Sequence, residues 1–275
     1  MLTTPLLELR HVNKSFGAVQ VLDDVTFTAR AGDVTVLVGD NGAGKSTLTK
    51  CIGGIHTMDS GAYLLEGAAV NIRTASEAAR LGIEIAYQDL ALCDNLDIVQ
   101  NMFLGRELHR GLVLDESEME HIAVETLRRL SVNTVRSIRQ PVYTLSGGQR
   151  QTVAIAKAIL WSSRIVVLDE PTAALGVAQT ARILELIRQL ADGGLAVILV
   201  SHNMNDVFAV ADSIATLYLG RMAAQVRASQ LTYRQLIELI TTGSTGEIGL
   251  RASLTSRDLR GARSRPMAPM SAATR

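Results

Sequence analysis

The chain has 275 residues, of which 47% are hydrophobic, and this is enough to bury a large core as one domain or as a core with a subdomain. Lys and Arg number 27, as do Asp and Glu, so the zero formal net charge gives no support to wholesale nucleic-acid binding by the body of the protein. The two cysteines form no C-x-x-C pair, which suits a reducing cytosol with both thiols as small apolar side chains.

The sequence carries no pattern typical of membrane targeting. Residues 1–5 lack the basic start and the apolar stretch of a signal peptide. The longest apolar runs, such as residues 195–200, fall far short of the ~20 residues that span a bilayer. We therefore expect a cytoplasmic protein that reaches the membrane only through a partner.

The first 88 residues are dominated by short apolar runs between turn residues, a pattern typical of strands. The predicted strands are residues 6–10, 25–29, 34–38, 63–67 and 83–87. A loop-like stretch at 13–18 separates the first two, and residues 74–81 are predicted to form a short helix.

From residue 89 to 160 the pattern becomes helical. Residues 96–107 and 115–130 carry apolar side chains at helical spacing, and another helix is predicted to open at Ser146 and run through 160. We predict a helical subdomain at 89–160, inserted into a core formed by 1–88 and 161–242.

After residue 160, predicted strands and helices alternate again. Strands are predicted at 165–168, 195–200 and 215–219, and helices at 177–190, 205–210 and 232–241. This alternation predicts a mostly parallel sheet with helices on both faces. The final 25 residues hold six arginines and one acid without apolar periodicity, so we predict a disordered, solvated basic tail over 243–275.

A glycine-rich loop follows the strand at 34–38 and precedes a helical segment, which is the context of a phosphate-binding G-x-x-x-x-G-K-[ST] loop. Its backbone N–H groups can surround an anion, Lys45 can reach the β- and γ-phosphates, and the Ser46 hydroxyl can ligate Mg²⁺. A glycine turn that precedes a Lys-Ser pair by chance is the alternative. The predicted nucleotide-binding residues are Gly39, Asp40, Asn41, Gly42, Ala43, Gly44, Lys45, Ser46 and Thr47.

An acidic pair follows the apolar run at 165–168 and is placed at the carboxyl end of a buried strand, where an α/β sheet borders its ligand crevice. Asp169 is suited to hold Mg²⁺, directly or through water. Glu170 is suited to polarise the water that attacks the γ-phosphate. The alternative is a helix N-cap followed by a turn at Pro171.

A third element is the sequence Leu-Ser-Gly-Gly-Gln at 145–149. Ser146 is an N-cap residue, and Gly147 and Gly148 leave backbone N–H groups open to an anion. In isolation, this stretch is better explained as an ordinary capped helix.

Together, these motifs resemble the ATP-binding cassette (ABC) family over residues 6–239. The resemblance lies in the order of phosphate loop, Leu-Ser-Gly-Gly-Gln, apolar strand with Asp-Glu-Pro-Thr, and the Ser201-His202 pair. Leu-Ser-Gly-Gly-Gln is that family's signature, and the lack of N-K-x-D after the loop disfavours a GTP-binding protein. The resemblance implies a P-loop NTPase with a RecA-like, mostly parallel sheet, an N-terminal antiparallel β portion and an inserted α-helical subdomain.

The resemblance also implies roles for single residues. Phe16 is similar to the aromatic residue that stacks on adenine, with a core phenylalanine as the alternative. Gln88 resembles the glutamine that senses Mg²⁺ and the attacking water, and His202 resembles the histidine that contacts the γ-phosphate. The implied catalytic set is Lys45, Gln88, Glu170 and His202, and the implied Mg²⁺ ligands are Ser46, Gln88 and Asp169.

The family resemblance implies a head-to-tail dimer with two sandwiched ATP molecules. Each chain's signature would contact the γ-phosphate bound by the other chain, so ATP joins the dimer and hydrolysis releases it. The implied signature residues are Leu145, Ser146, Gly147, Gly148 and Gln149. Gly176 departs from the family pattern, which usually has at this position an aspartate that helps the two half-sites communicate.

Residues 101–107, 172–177 and 201–208 resemble the subunits that power bacterial simple-sugar importers. This implies an ATPase at the inner face of the membrane that drives uptake of a monosaccharide such as ribose, xylose or fructose. A membrane permease would dock at residues 89–107, a periplasmic solute-binding protein would act indirectly, and no nucleic acid is expected. An importer for another solute, a soluble ABC-type ATPase, and a binding module with little turnover are the alternatives.

Overall fold

The computed structural model describes residues 4–87, 89–130, 137–161 and 163–249. The strands are β1 (Leu7–Phe16), β2 (Val19–Ala29), β3 (Val34–Gly39), β4 (Ser60–Leu65), β5 (Ala68–Val70), β6 (Ile83–Ala86), β7 (His109–Arg110), β8 (Val113–Leu114), β9 (Ile165–Asp169), β10 (Ala196–Val200), β11 (Ser213–Tyr218), β12 (Arg221–Arg227), β13 (Ser244–Thr245) and β14 (Ile248–Gly249). The helices are α1 (Lys45–Ile52), α2 (Ala75–Arg80), α3 (Ile98–Phe103), α4 (Glu116–Arg129), α5 (Gly147–Ile159), α6 (Val177–Asp192), α7 (Met204–Val210) and α8 (Tyr233–Thr242). None of the described helices is long and apolar enough to cross a membrane.

The central sheet has six strands in the order β12-β11-β3-β10-β9-β6. Strands β11, β3, β10, β9 and β6 run parallel, and β12 pairs antiparallel with β11 at the edge. The predicted mostly parallel sheet is therefore confirmed. Because β3, β10 and β9 are adjacent and parallel, the segments that follow them leave the sheet at the same edge.

A second, antiparallel sheet in the order β2-β1-β4-β5 forms the N-terminal β portion, as predicted. The predicted loop at 13–18 is wrong, because β1 continues through Phe16, which pairs with Val19 of β2. Only residues 17 and 18 make the turn, with Gly17 at a φ of +60°. The polar residues of this stretch lie on a largely solvent-facing hairpin arm, where an apolar pattern is not needed.

Two hydrophobic layers cover the faces of the central sheet. Within β9, Val166 and Leu168 belong to the hydrophobic cluster that includes α5, α6 and α8, whereas Ile165 and Val167 belong to the cluster that includes α1 and the antiparallel sheet. Successive side chains of β9 therefore point to opposite faces of the sheet. The sequence does not show this alternation, because the residues on both faces are apolar. Helices lie on both faces, as expected, and on the second face α1 is joined by the antiparallel sheet.

The region 89–160 contains α3, α4 and α5, together with the unpredicted hairpin β7–β8. Helix α3 is shorter than the predicted 96–107, because Asp97 caps its start in a capping box and the chain leaves it at Leu104. Apolar residues of this region, including Met102 and Met119, share one continuous hydrophobic cluster with Val36 of β3. The division at residues 89 and 160 therefore stays a prediction.

The C-terminal part differs from the predicted tail over 243–275. Helix α8 ends at Gly243, with a φ of +74°, and the hairpin β13–β14 follows. Thr245 is buried, and its hydroxyl donates a hydrogen bond of 2.5 Å to a carboxylate oxygen of Glu238. The prediction of disorder is wrong for 244–249, and residues 250–275 lie outside the described residues.

The packing between the two sheets predicts a large stability effect at Phe27, which is fully buried on β2. We expect Phe27→Ala to lower the free energy of unfolding by about 3–5 kcal/mol, because it removes apolar contacts and leaves a cavity. Val19 lies on the same strand but is 63% exposed, so Val19→Ala should change that free energy by less than ~0.5 kcal/mol. Urea denaturation of both variants measures the difference, and equal losses would contradict the placement of this core.

Candidate active site

The loop between β3 and α1 needs glycine at both of its ends. Gly39 has a φ of +155°, and a Cβ there would overlap the carbonyl oxygen of Leu217 in β11. Gly44 has a φ of +103°, and its Cβ would lie 2.9 Å from the Leu22 side chain. Larger residues would therefore be strained and crowded at both positions. The glycines let the chain turn back into α1, whose first backbone N–H groups have no partners within the helix.

Lys45, the first residue of α1, lies across this loop. Its Nζ donates hydrogen bonds to the carbonyl oxygens of Gly39 at 2.8 Å and Asp40 at 3.0 Å. Partial burial lowers the pKa of Lys45, and the nearby carboxylates of Glu170, Asp40 and Asp169 act in the opposite direction. The loop therefore holds a half-buried amine beside acidic groups.

The acidic pair lies at the carboxyl end of β9, two strands from β3. Glu170 has a φ of +51°, which is uncommon for a residue other than glycine, and its backbone N–H donates to the carbonyl oxygen of Val200 at 3.0 Å. Burial raises the pKa of Asp169, the charge of Glu170 adds to that rise, and Lys45 opposes it. Asp169 is thus a carboxylate that a neighbouring cation would stabilise in its ionised form.

His202 contacts Glu170 directly, with 2.8 Å between Nδ1 of the imidazole and Oε2 of the carboxylate. The Glu170 side chain is 13% exposed and the His202 side chain is 73% exposed. Because Nδ1 is engaged by the carboxylate, the ring is oriented with Nε2 as the nitrogen left for a ligand.

A cavity of about 260 Å³ brings the loop and the acidic pair together. Its lining residues come from separate parts of the sequence: Val21, Asn41, Gly42, Gly44, Lys45, Ser46, Thr47, Asp169, Glu170 and Val200. Gly39, Asp40 and Ala43 shape the loop without lining this cavity. Sequence reasoning missed Val21 and Val200, which carry no motif. Val200 reaches the cavity through the pairing of β10 with β3 and β9, and Val21 through the packing of β2 against the loop at Gly44.

Phe16 lies at the tip of the β1–β2 hairpin and is 45% exposed, so the alternative of a core phenylalanine is wrong. An exposed ring at a hairpin tip is free to stack on a planar ligand. Gln88, predicted as a catalytic residue and a Mg²⁺ ligand, lies outside the described residues, directly after Tyr87 at the end of β6.

The signature residues open α5. The hydroxyl of Ser146 accepts a hydrogen bond of 3.4 Å from the backbone N–H of Gln149, whose side-chain oxygen accepts one of 2.9 Å from the backbone N–H of Ser146. This capping box supports the ordinary role of a helix start. Leu145 is buried, whereas Ser146 and Gly147 are exposed, and none of the five signature residues lines the cavity of the same chain in its described part.

Gly176 is the N-cap of α6 and has a φ of −73°, which residues with side chains adopt readily. No described atom lies within 4 Å of the position that a Cβ would take. An aspartate would therefore fit here, and the glycine is not required by the fold.

The donors at the cavity fit Mg²⁺. Ser46 offers a hydroxyl and Asp169 a carboxylate, and both are oxygen ligands of the kind that this ion prefers. Among the described residues no group of three or more His, Cys, Asp or Glu side chains forms a metal site.

Comparison with known proteins shows which protein family this chain resembles. A model described as ABC transporter matches residues 22–173, more than half of the chain. The xylose/arabinose import ATP-binding protein XylG of Sulfolobus acidocaldarius is 41% identical, with 89% of this chain and 97% of that protein covered. The fructose import ATP-binding protein FrcA of Rhizobium meliloti is 43% identical, with 88% and 95% covered. The ribose import ATP-binding protein RbsA 2 of Escherichia coli O157:H7 is 38% identical over 87% of this chain but only 47% of its own length.

Solved structures agree on the fold. The ADP conformation of MJ1267, an ATP-binding cassette of an ABC transporter, has a TM-score of 0.73 at 23% identity, with 87% of this chain and 96% of that chain covered. A dimeric post-hydrolysis state of the ATP-binding cassette MJ0796, bound to ADP and Pi, has a TM-score of 0.68 at 25% identity, with 81% and 98% covered. The predicted fold class and family resemblance are both confirmed. The chain belongs to the ABC transporter family and is an ATPase subunit of that family.

Proposed function

We propose that this chain hydrolyses ATP to drive uptake of a small sugar through a separate membrane permease. The observation that carries the ATPase chemistry is the single cavity at which Lys45, Asp169 and Glu170 meet, with His202 held by Glu170. The support for sugar import is the nearly full-length similarity to proteins named for import of xylose/arabinose and fructose.

The phosphates of ATP would occupy the loop between β3 and α1. The unpaired N–H groups at the start of α1 would donate to phosphate oxygens. Lys45 would exchange its bonds to two carbonyl oxygens for charge-assisted bonds to the β- and γ-phosphates. Adenine would stack on the exposed ring of Phe16. Ser46, Asp169 and Gln88 would hold Mg²⁺, which neutralises phosphate charge when bound.

Glu170 is the proposed general base. Its carboxylate lies at the cavity wall, where it would accept a proton from the water that attacks the γ-phosphate. The bond from its backbone N–H to Val200 fixes the residue, and the contact with His202 fixes the carboxylate. His202 would place Nε2 against the γ-phosphate, where negative charge accumulates.

The site is completed in our proposal by a second cassette. The exposed Ser146 and Gly147 would contact the γ-phosphate bound by the partner copy, with two ATP molecules at the interface. The MJ0796 cassette has a dimeric structure, which supports this assembly by analogy of fold. A different second cassette is the alternative partner, since the ribose relative is about twice as long as the matched segment.

A cleft of about 600 Å³ lies beside the end of β6 and is the proposed docking site for a cytoplasmic helix of the permease. Its lining comes from the end of α1, from α2 and β6, and from the segment after α3, of which Gly105 and Arg106 belong to the predicted docking segment 89–107: Gly53, Ala75, Ser76, Ala79, Arg80, Ile83, Glu84, Ile85, Tyr87, Gly105 and Arg106. An ion pair of 2.6 Å between Arg106 and Glu84 ties two of these segments together. Partner movements here would act directly on Tyr87, the residue before Gln88. A periplasmic solute-binding protein would act on the other side of the membrane.

Replacement of the proposed base separates catalysis from binding. We expect Glu170→Gln to lower kcat for ATP hydrolysis by about 10²-fold or more, while the Kd for Mg-ATP changes little, because glutamine keeps the shape but cannot accept the proton. Lys45→Ala should weaken ATP binding itself. Steady-state hydrolysis and calorimetric binding on the full chain measure both effects.

The matched control is Glu66→Gln, because Glu66 also has a φ of +51° but lies in an exposed turn away from the cavity. It should leave kcat unchanged. Retained hydrolysis in Glu170→Gln would reject this residue as the base. Negligible turnover in the unaltered chain, alone and with permease, would favour the binding-module alternative.

A bulky residue in the cleft tests the permease interface. We expect Ala79→Trp to reduce capture of the permease by at least about tenfold, a loss of about 1.4 kcal/mol, while hydrolysis by the isolated chain is retained. Ala69→Trp, on the exposed edge strand β5, is the control. Copurification from membranes that contain the permease is the measurement. Capture that is equally strong in both variants would contradict this docking site, and a ribosome or DNA as native partner would favour the soluble-ATPase alternative.

Gly176→Asp tests the departure from the family pattern. The position is open, so the variant should fold with a change below ~0.5 kcal/mol in the free energy of unfolding. We expect a steeper dependence of hydrolysis on ATP concentration, measured as a Hill coefficient, since the family resemblance assigns this aspartate to communication between half-sites. An unchanged Hill coefficient in a folded variant would show that Gly176 does not limit that coupling.

A further inference from the structure

Phe16 lies at an exposed hairpin tip, yet its ring is contacted by two side chains. One comes from the same strand and the other from the segment after α1. Nζ of Lys14 lies 5.3 Å from the ring centroid, which is the distance of a cation–π contact. The His56 ring lies 5.1 Å away with an interplanar angle of 71°, an edge-to-face arrangement that aromatic rings favour.

Asp59 holds the strand end that carries Phe16. One carboxylate oxygen accepts from Lys14 Nζ at 2.7 Å, and the other accepts from the backbone N–H of Ser15 at 2.6 Å. The backbone N–H of Asp59 donates to the carbonyl oxygen of Asn13 at 2.9 Å. The bonds from Lys14 and Ser15 lower the pKa of Asp59, so this carboxylate is ionised at neutral pH.

His56 and Asp59 both belong to the segment that follows α1. The backbone N–H of His56 donates to the carbonyl oxygen of Lys50 at 3.1 Å, which fixes the start of this segment on the end of the helix. Helix α1 begins at Lys45 and is eight residues, or about 12 Å, long. Phe16 is thereby connected to the phosphate loop through one short, rigid helix.

We propose that Asp59, Lys14 and His56 form a clamp that positions Phe16 for the adenine base of ATP. The inference rests on the proposed role of Phe16. The three clamp residues are positioning residues, since they touch the stacking ring and its strand. The clamp fixes the distance between the ring and the phosphate loop. ATP can then bind through its base and its phosphates without the entropic cost of ordering the hairpin tip.

The test compares ATP with inorganic tripolyphosphate, which has phosphates but no base. We expect Asp59→Asn and His56→Ala each to raise KM for ATP by about threefold to tenfold, the range that loss of one aromatic or cation–π contact gives. The value of kcat should stay within about twofold, and competitive inhibition by tripolyphosphate should be unchanged, because the phosphate loop is intact. Lys14→Met, which keeps the apolar stem but removes the charge, is the second variant if Asp59→Asn does not fold.

Glu8→Gln is the matched control, because it breaks an ion pair of 2.7 Å with Arg10 on the same strand. Phe16→Ala separates the two proposals. If Phe16→Ala raises KM but the clamp variants behave like Glu8→Gln, the clamp is overturned and the role of Phe16 stands. If Phe16→Ala leaves KM unchanged, the adenine platform itself fails and the clamp with it. Weaker tripolyphosphate inhibition in the clamp variants would show a general structural effect and also overturn the clamp.

Discussion

The functional geometry depends on how closely the phosphate loop approaches the strands beside it. At Gly39 the backbone passes so near the carbonyl oxygen of Leu217 that a Cβ has no room, and at Gly44 it passes against Leu22 and Val21. This contact fixes the loop between the two sheets and directs its N–H groups and Lys45 toward one cavity. The phosphate site is therefore set by tertiary packing of β2 and β11 as much as by the loop's own sequence.

The parallel order of the central sheet supplies the other half of the site. Because β10 lies between β3 and β9, its end is adjacent to both the loop and the acidic pair. The carbonyl oxygen of Val200 accepts a hydrogen bond from the backbone N–H of Glu170. His202, two residues after Val200, contacts the carboxylate of the same glutamate. A left-handed backbone at Glu170 is unfavourable in isolation, and these contacts stabilise it beside the cavity.

The sequence predicted those parts of the candidate site whose structure is determined by residues close together in the chain. The phosphate loop, the capped start of α5 and the acidic pair at the carboxyl end of β9 lie where their motifs indicated. Three features were missed: the full length of β1, the hairpin after α8, and Val21 at the cavity wall. The two hairpins pair locally but carry no apolar strand pattern, and Val21 reaches the cavity only through tertiary packing. The sequence also could not show which residues of β9 face which side of the sheet, because residues on both faces are buried and apolar.

The signature residues form a capped helix start within one chain, and we propose that they act on the nucleotide of another. The capping box of Ser146 and Gln149 is satisfied within α5, while Ser146 and Gly147 remain exposed. Local structure at this helix start is thus already formed before any partner arrives, and our proposed dimer would not need to refold it. A preformed donor surface lowers the ordering cost of association. In the proposed dimer, the affinity of one cassette for another would then depend mainly on the nucleotide between them, and this would let ATP binding close the assembly and hydrolysis open it.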